Sequence, residues 1–278
     1  MSLSPLADVL VTTSRTTWSE EAVIHRYLKY ARAMSRPAFW PALRRRVMPA
    51  LEHGRLLDDV KVSTLIDVGA NRGQFALLVL DRFPTADIHS FEPLPAEGEV
   101  LRSVVAAPLT CHALALGASA GEATFYVTSK RDSSSLLVPG AAQTAASGIT
   151  LTAATKVRVA RLTDVLDVAT LPQPILMKID VQGGELDVLK GAEDALPLID
   201  AIYTEVSFVT LYEGQPLASE ITAYLHQQGF ELRGVYNHFF AAGVGPTQAD
   251  FLYVRSAPSL ADRSRPAETS TNMRQELV

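Results

Sequence analysis

"LIDVGANRGQFALLVL", residues 65–80, passes from an apolar run through a turn with two glycines into a second apolar run of different period. An apolar segment ending in Asp67, a turn at Gly69 and Gly73 and a helix beginning near Gln74 form the strand–turn–helix unit that opens many nucleotide-binding sheets. Two phosphate-binding patterns fail here. G-x-G-x-x-G is broken because Asn71 and Gln74 stand where its second and third glycines belong, and no Gly-Lys-Ser/Thr follows to make a P-loop. The turn reads as a nucleoside site without a phosphate cradle, which disfavours a dinucleotide-dependent dehydrogenase.

Working outward, apolar runs of strand length recur at 64–68, 87–91, 110–116, 175–180, 201–206, 230–236 and 250–254, with helical segments between most of them. Such alternation predicts an α/β fold, a parallel sheet with helices on both faces. Only "HFFAAGVGPTQ" separates the last two runs, so they form a hairpin and the final strand runs antiparallel. An insertion at 117–163 holds two alternating segments, "GEATFYVT" and "TKVRVARL", joined by a Ser-rich stretch that reads as a loop with a lid at 140–148. Before the sheet, "WSEEAVIHRYLKYARAM" sets Val23, Tyr27, Tyr30 and Met34 on one helical face, with Ser19 as a candidate cap. The chain thus divides into an N-terminal helical extension at 1–60, a main domain at 61–256 and a disordered tail at 257–278.

Composition narrows the function classes. With 278 residues and 47% hydrophobic content the chain can bury one large core. A net charge of −5 gives no electrostatic case for a nucleic-acid partner, and the single Cys111 excludes an internal disulfide. Neither a signal-peptide pattern nor an uninterrupted apolar span is present, so no membrane span is expected and the localisation reads as cytoplasmic. "LRRR" at 43–46 reads as a solvated helix face.

In open α/β sheets the ligand lies at the carboxyl ends of the strands, near the point where strand order reverses. Those ends carry Asp67, Gly69, Asn71 and Gly73, then Glu92, Asp180 and Glu205, and finally Asn237 and His238. Two glycines flanking Asn71 suit a turn that a ligand approaches closely. Glu92, 19 residues after Gly73, suits a carboxylate accepting both hydroxyls of a ribose. Asp180 follows the mostly apolar "PILMKI", where an unpartnered charge is costly and a functional role is favoured. Glu205 and His238 join it as catalytic candidates.

Taken in order, "DVGANRGQF", "FEPLP", "LALGASAGEATFYV", "DSSSLL", "KIDVQGGELDVLKGA" and "YNHFFAAGVGPTQADFLYV" resemble the FkbM family of S-adenosylmethionine-dependent methyltransferases, over residues 65–254. The resemblance implies a seven-stranded, Rossmann-like methyltransferase sheet with its last strand antiparallel. It implies S-adenosyl-L-methionine as cofactor, with Gly69, Ala70, Asn71 and Gly73 beside the methionine part, Glu92 on the ribose and adenine near Leu114, Ala115 and Leu116. It also implies O-methylation of a hydroxyl on a small molecule, sugar or natural product, with a catalytically silent nucleoside-binding or scaffold module as the alternative. Ser133, Ser134, Ser135 and Asn237 are the expected substrate contacts. An alcohol must lose its proton as the new bond forms, which calls for a base or a metal. Asp180 and Glu205 can share a proton, orient the acceptor or hold a divalent cation; the spacing of a metal loop is absent, so a base is preferred. One departure stands out: where the family usually has Glu after "KIDV", this chain has Gln182.

Overall fold

The computed structural model describes residues 20–106, 108–241 and 243–256. The expected Ser19 cap and the tail at 257–278 lie outside the described residues, as does the side chain of Val23. The chain opens with α1 (Glu20–Met34), a 3-10 turn (Pro37–Phe39), α2 (Trp40–Arg44) and a 3-10 helix (Leu51–Asp58). It continues through β1 (Thr64–Val68), α3 (Gln74–Arg82), β2 (Asp87–Phe91), α4 (Pro95–Val104), β3 (Leu109–His112) and β4 (Ala115–Leu116). β5 (Gly121–Thr128), α5 (Ala141–Ser147) and β6 (Leu151–Ala160) form the insertion. β7 (Ile175–Ile179), α6 (Glu185–Gly191), β8 (Ala201–Ser207), α7 (Ala218–Gln227), β9 (Phe230–Ala241) and β10 (Gly245–Arg255) complete the domain.

Seven strands form one sheet in the order β3-β2-β1-β7-β8-β10-β9, parallel except for β10, which runs antiparallel to both of its neighbours. The chain winds outward from β1 to β3 and then returns to β7, so strand order reverses between β1 and β7. A crevice opens there at the strands' carboxyl ends. Alternate residues divide between two cores, as a pleated strand buried on both faces requires. Ile66, Val68, Met177 and Ile202 face one core, built with Val188 and Leu189 of α6 and Ile221 and Leu225 of α7. Leu65, Leu176, Tyr203 and Leu252 face the other, which includes Phe75 and Val79 of α3 and Phe39, Val47 and Leu56 from the N-terminal segment.

Four local expectations need correction. The run at 110–116 is not one strand: β3 ends at His112, and Ala115 leaves the main sheet to pair in parallel with Val159 of β6. Antiparallel β5 and β6 complete this second, three-stranded sheet, so the insertion supplies the partner that draws the chain away. The stretch read as a loop contains α5, docked by a hydrogen bond from Gly140 N to Leu211 O (2.8 Å) and by Gln143 Nε2 donating to Tyr212 Oη (3.1 Å). The hairpin of β9 and β10 is longer than its apolar runs, because backbone pairing continues into "HFFA". Finally, α1 turns Tyr27, Tyr30 and Met34 outward, with Tyr27 66% exposed. Small, fully buried Ala33 makes its close contact, and the Trp40 indole donates to Met34 O at 3.0 Å, satisfying a carbonyl at the helix end.

The insertion and the sheet meet where α6 ends. A Cβ built on Gly191 would stand 2.0 Å from Gly117 O, so backbone touches backbone behind the turn that follows β4. Gly191→Ala should therefore cost about 1–3 kcal/mol through overpacking, read as a lower urea midpoint at unchanged slope. Gly54→Ala, whose added methyl would meet only Leu78 at 4.0 Å, should leave the midpoint almost unchanged.

Candidate active site

The register of β1 and β7 sets Asp67 opposite Lys178 at the centre of the sheet. Lys178 Nζ donates to Gly69 O at 2.9 Å and lies 3.3 Å from Asp67 Oδ1 and 3.7 Å from Asp180 Oδ2. Burial alone would lower the Lys178 pKa, but the attraction of Asp67 and Asp180 outweighs it and raises the pKa, so the ammonium stays charged. Burial pushes the fully enclosed Asp67 carboxyl upward against the pull of Lys178. The cluster joins the turn after β1 to the turn after β7.

The first of these turns is shaped by close approach. Gly69 has φ +75°, and a Cβ there would lie 1.9 Å from Asp180 O, so no side chain fits. Asn71 takes the left-handed region at φ +48°, which Asn tolerates better than most residues. Its N–H donates to Glu92 Oε2 at 2.9 Å, while Leu94 N donates to Glu92 Oε1 at 2.8 Å. Glu92 thus ties the ends of β1 and β2 together. Its burial raises the carboxyl pKa to about 7, against the lowering effect of those two N–H groups. Gly73 has another reason to be glycine: a Cβ would meet Val105 at 2.9 Å, so helix packing requires it, and it borders neither cavity described next.

Two cavities open at the crevice. One, of about 280 Å³, is lined by Glu92, Leu94, Ala115, Leu116 and Phe125 among others. The other, of about 700 Å³, reaches under the N-terminal segment and is lined by His53, Ala70, Phe75 and Lys178, with Lys29 and Arg46 at its edge. They meet at Gly69, Asn71 and Asp180, beside Arg131 and Asp132. Of the expected cofactor contacts, Gly69, Asn71, Glu92, Ala115 and Leu116 line the smaller cavity and Ala70 the larger, whereas Asp67 and Leu114 are buried behind them.

Asp180 is brought to Glu205 through the residue that departs from the family pattern. Gln182, at φ +60°, turns its side chain back so that Nε2 donates to Asp180 Oδ1 at 2.9 Å and to Glu205 Oε2 at 2.8 Å, while Tyr212 Oη donates to Gln182 Oε1 at 2.9 Å. Gln248 Nε2 also donates to Glu205 Oε2, at 2.6 Å. Burial, then the neighbouring Asp180 and Asp250, push the Glu205 carboxyl well above its ordinary range. Glu205 lines neither cavity; it anchors Gln182 from below.

The other candidates separate. Of the three serines only Ser134 reaches either cavity: the Ser133 carbonyl lies 2.9 Å from Tyr212 Oη and shares that hydroxyl's one proton with Gln182 Oε1, and Ser135 Oγ donates to Gln182 O at 2.7 Å, pinning the segment to the turn after β7. His238 lies exposed on edge strand β9 and is not brought to Asp180. Asn237 points inward, donating to Asp250 Oδ2 at 2.8 Å. It joins a group that sequence reasoning missed, in which His53 Nδ1 lies 2.8 Å from Tyr203 Oη and 3.2 Å from Asp250 Oδ2. His53 precedes β1 in a segment without period, so nothing local marks it. Among the described residues no group of three or more His, Cys, Asp or Glu could hold a metal ion.

Gln182 keeps two carboxylates at one amide without adding a third charge. Gln182→Glu should replace a shared donor by a like charge and destabilise the fold by about 2 kcal/mol at pH 8. The added carboxyl would have a raised pKa in the folded state, so the penalty should shrink as the pH falls toward 5. Urea unfolding at the two pH values measures it.

The family profile described as Methyltransferase FkbM domain matches residues 67–232. "Methyltransferase 1" of Beauveria bassiana (strain ARSEF 2860) is 28% identical over 162 residues, 52% of this chain and 64% of that protein, so the match spans just under two thirds of that relative. "Methyltransferase sdnD" of Sordaria araneosa is 29% identical over 195 residues, 60% of this chain and 73% of that protein. The crystal structure of Methyltransferase FkbM from Methylobacillus flagellatus KT aligns with 68% of this chain and 43% of its own, at 16% identity and a TM-score of 0.44. The profile match covers more than half of the sequence and coincides with the crevice-bearing sheet, and the chain belongs to the FkbM methyltransferase domain family.

Proposed function

We propose that this protein is an S-adenosylmethionine-dependent O-methyltransferase acting on a hydroxyl of a small molecule, sugar or natural product, with its catalytic unit at 61–256. The observation that carries the reading is the meeting of two cavities at Asp180, one sized for a nucleoside and one left for an acceptor. The residues present fit the cofactor. Each Glu92 oxygen accepts one backbone N–H and keeps capacity for a ribose hydroxyl, while Leu94, Leu116 and Phe125 offer apolar cover for a ring. When bound, S-adenosylmethionine supplies a methyl group already activated as a sulfonium, so the protein's task is chiefly positioning and proton removal.

Asp180 is suited to both tasks. Its Oδ1 is occupied by Gln182, which leaves Oδ2 to receive the acceptor's proton while Lys178 stabilises the charged carboxylate. Glu205 acts through Gln182 as a positioning residue. A second reading of the base has its own support: His53 lines the larger cavity, and in the tautomer whose Nδ1 donates to Tyr203 Oη at 2.8 Å its Nε2 is an acceptor. Asp180→Asn should retain S-adenosylhomocysteine affinity and lose about two to four orders of magnitude in turnover against a panel of hydroxyl acceptors. A near-normal rate in that variant, with a comparable loss in His53→Gln, would transfer the base to His53.

Glu92 gives the cofactor assignment a pH signature. Its carboxyl holds a proton below about pH 7 in the free protein, whereas two ribose hydroxyls donate to the ionised form. Affinity for S-adenosylhomocysteine should therefore rise by up to about tenfold per pH unit between roughly pH 5 and 7 and level off above. Calorimetric titration of Glu92→Gln should give weaker binding without that slope; a slope unchanged in the variant would remove Glu92 from the ribose site.

A further inference from the structure

The larger cavity is a basic enclave in a chain of net charge −5: six cationic side chains and three carboxylates line it. Most of that positive charge is already answered. Lys29 pairs with Glu52 at 2.5 Å, Arg72 and Arg131 both pair with buried Glu97 at 2.5 and 2.7 Å, and Lys178 is held by Asp67 and Asp180. Lys130 donates to a carbonyl, Ser147 O at 2.9 Å, and has no ion-pair partner among the described residues. The side chain of Arg46 has no hydrogen-bond or ion-pair partner among the described residues, although it lines the same cavity.

Arg46 is also held in an unfavourable backbone conformation. Arg46 N donates to Leu43 O at 3.0 Å and Val47 N to Ala42 O at 2.9 Å, the paired bonds of a Schellman motif closing α2. Its left-handed position, at φ +58°, is where glycine is usual, and here it carries the longest cationic side chain. An arginine in a glycine position, lining a cavity and without a partner among the described residues, points to strain retained for a ligand. We propose that the acceptor carries an oxyanion, a carboxylate or a phosphate monoester, bound by the Arg46 guanidinium, with Lys130 a second cation on the lining of the same cavity. The guanidinium fork matches either group, and its charge cannot be lost at any working pH. As an assignment of substrate class this rests on the methyltransferase reading, since it assumes that the larger cavity receives the acceptor.

The test is calorimetric titration at low ionic strength, on protein saturated with S-adenosylhomocysteine, using inorganic phosphate in one arm and benzoate in the other. Millimolar binding of either probe is expected, about tenfold weaker in Arg46→Gly, partly restored in Arg46→Lys and reduced in Lys130→Gln. Preference for phosphate or for benzoate identifies which oxyanion the acceptor carries. The melting temperature of Arg46→Gly should be unchanged or higher by about 2 °C, because relief of the left-handed strain offsets glycine's greater freedom in the unfolded chain. A drop in melting temperature would assign Arg46 to the fold and overturn the proposal. So would failure of both probes to bind, or binding that survives in both Arg46→Gly and Lys130→Gln. Lack of S-adenosylhomocysteine binding would instead sink the methyltransferase reading, and phosphate titration of the free protein would still test the oxyanion site.

Discussion

A charged lysine at the centre of a buried sheet is costly unless its surroundings answer the charge, and the whole crevice is arranged around Lys178. Its ammonium is met by a carbonyl from the turn after β1, a carboxylate from within β1 and a second carboxylate from the end of β7. Because those groups belong to both sides of the point where strand order reverses, one ion cluster sets how far apart the two turns stand. Without the ammonium, Asp67 would be an enclosed carboxylate beside another carboxylate, and the central strands would no longer tolerate this register.

Strand–turn–helix periodicity makes the sheet legible in the sequence, and with it the positions of Asp67, Glu92, Asp180 and Glu205 at strand ends. Strand ends are positions in sequence, but side-chain direction is not. Glu205 and Asp180 close neighbouring strands, yet only Asp180 reaches a cavity, because Gln182 doubles back between them. Asn237 takes a left-handed backbone, φ +44°, where the register of β9 and β10 shifts, and this irregularity turns its side chain to Asp250 while His238 stays exposed; period-two alternation does not carry that information. His53 was illegible for a different reason: it reaches Asp250 across 197 positions, and no local pattern records a contact of that range.

The N-terminal segment is part of the site's architecture as well as its core. Phe39, Val47 and Leu56 pack under the same sheet face as Tyr203, and α1, the turn after α2 and the 3-10 helix bring Lys29, Arg46 and His53 to the larger cavity. The smaller cavity is built from the strands, whereas the larger one depends on what precedes β1. The smaller cavity lies within the family match, whereas the larger one combines matched residues with Lys29, Arg46 and His53 from the segment that precedes it.

The contact between Gly69 and the carbonyl of Asp180 has a wider implication. Backbone meets backbone there with no room for even a methyl group, so the turn after β1 and the turn after β7 behave as one rigid part. A change that reshapes one reshapes the other. The far wall of the larger cavity, where Lys29 and Met48 lie, is the part that can alter without disturbing either turn.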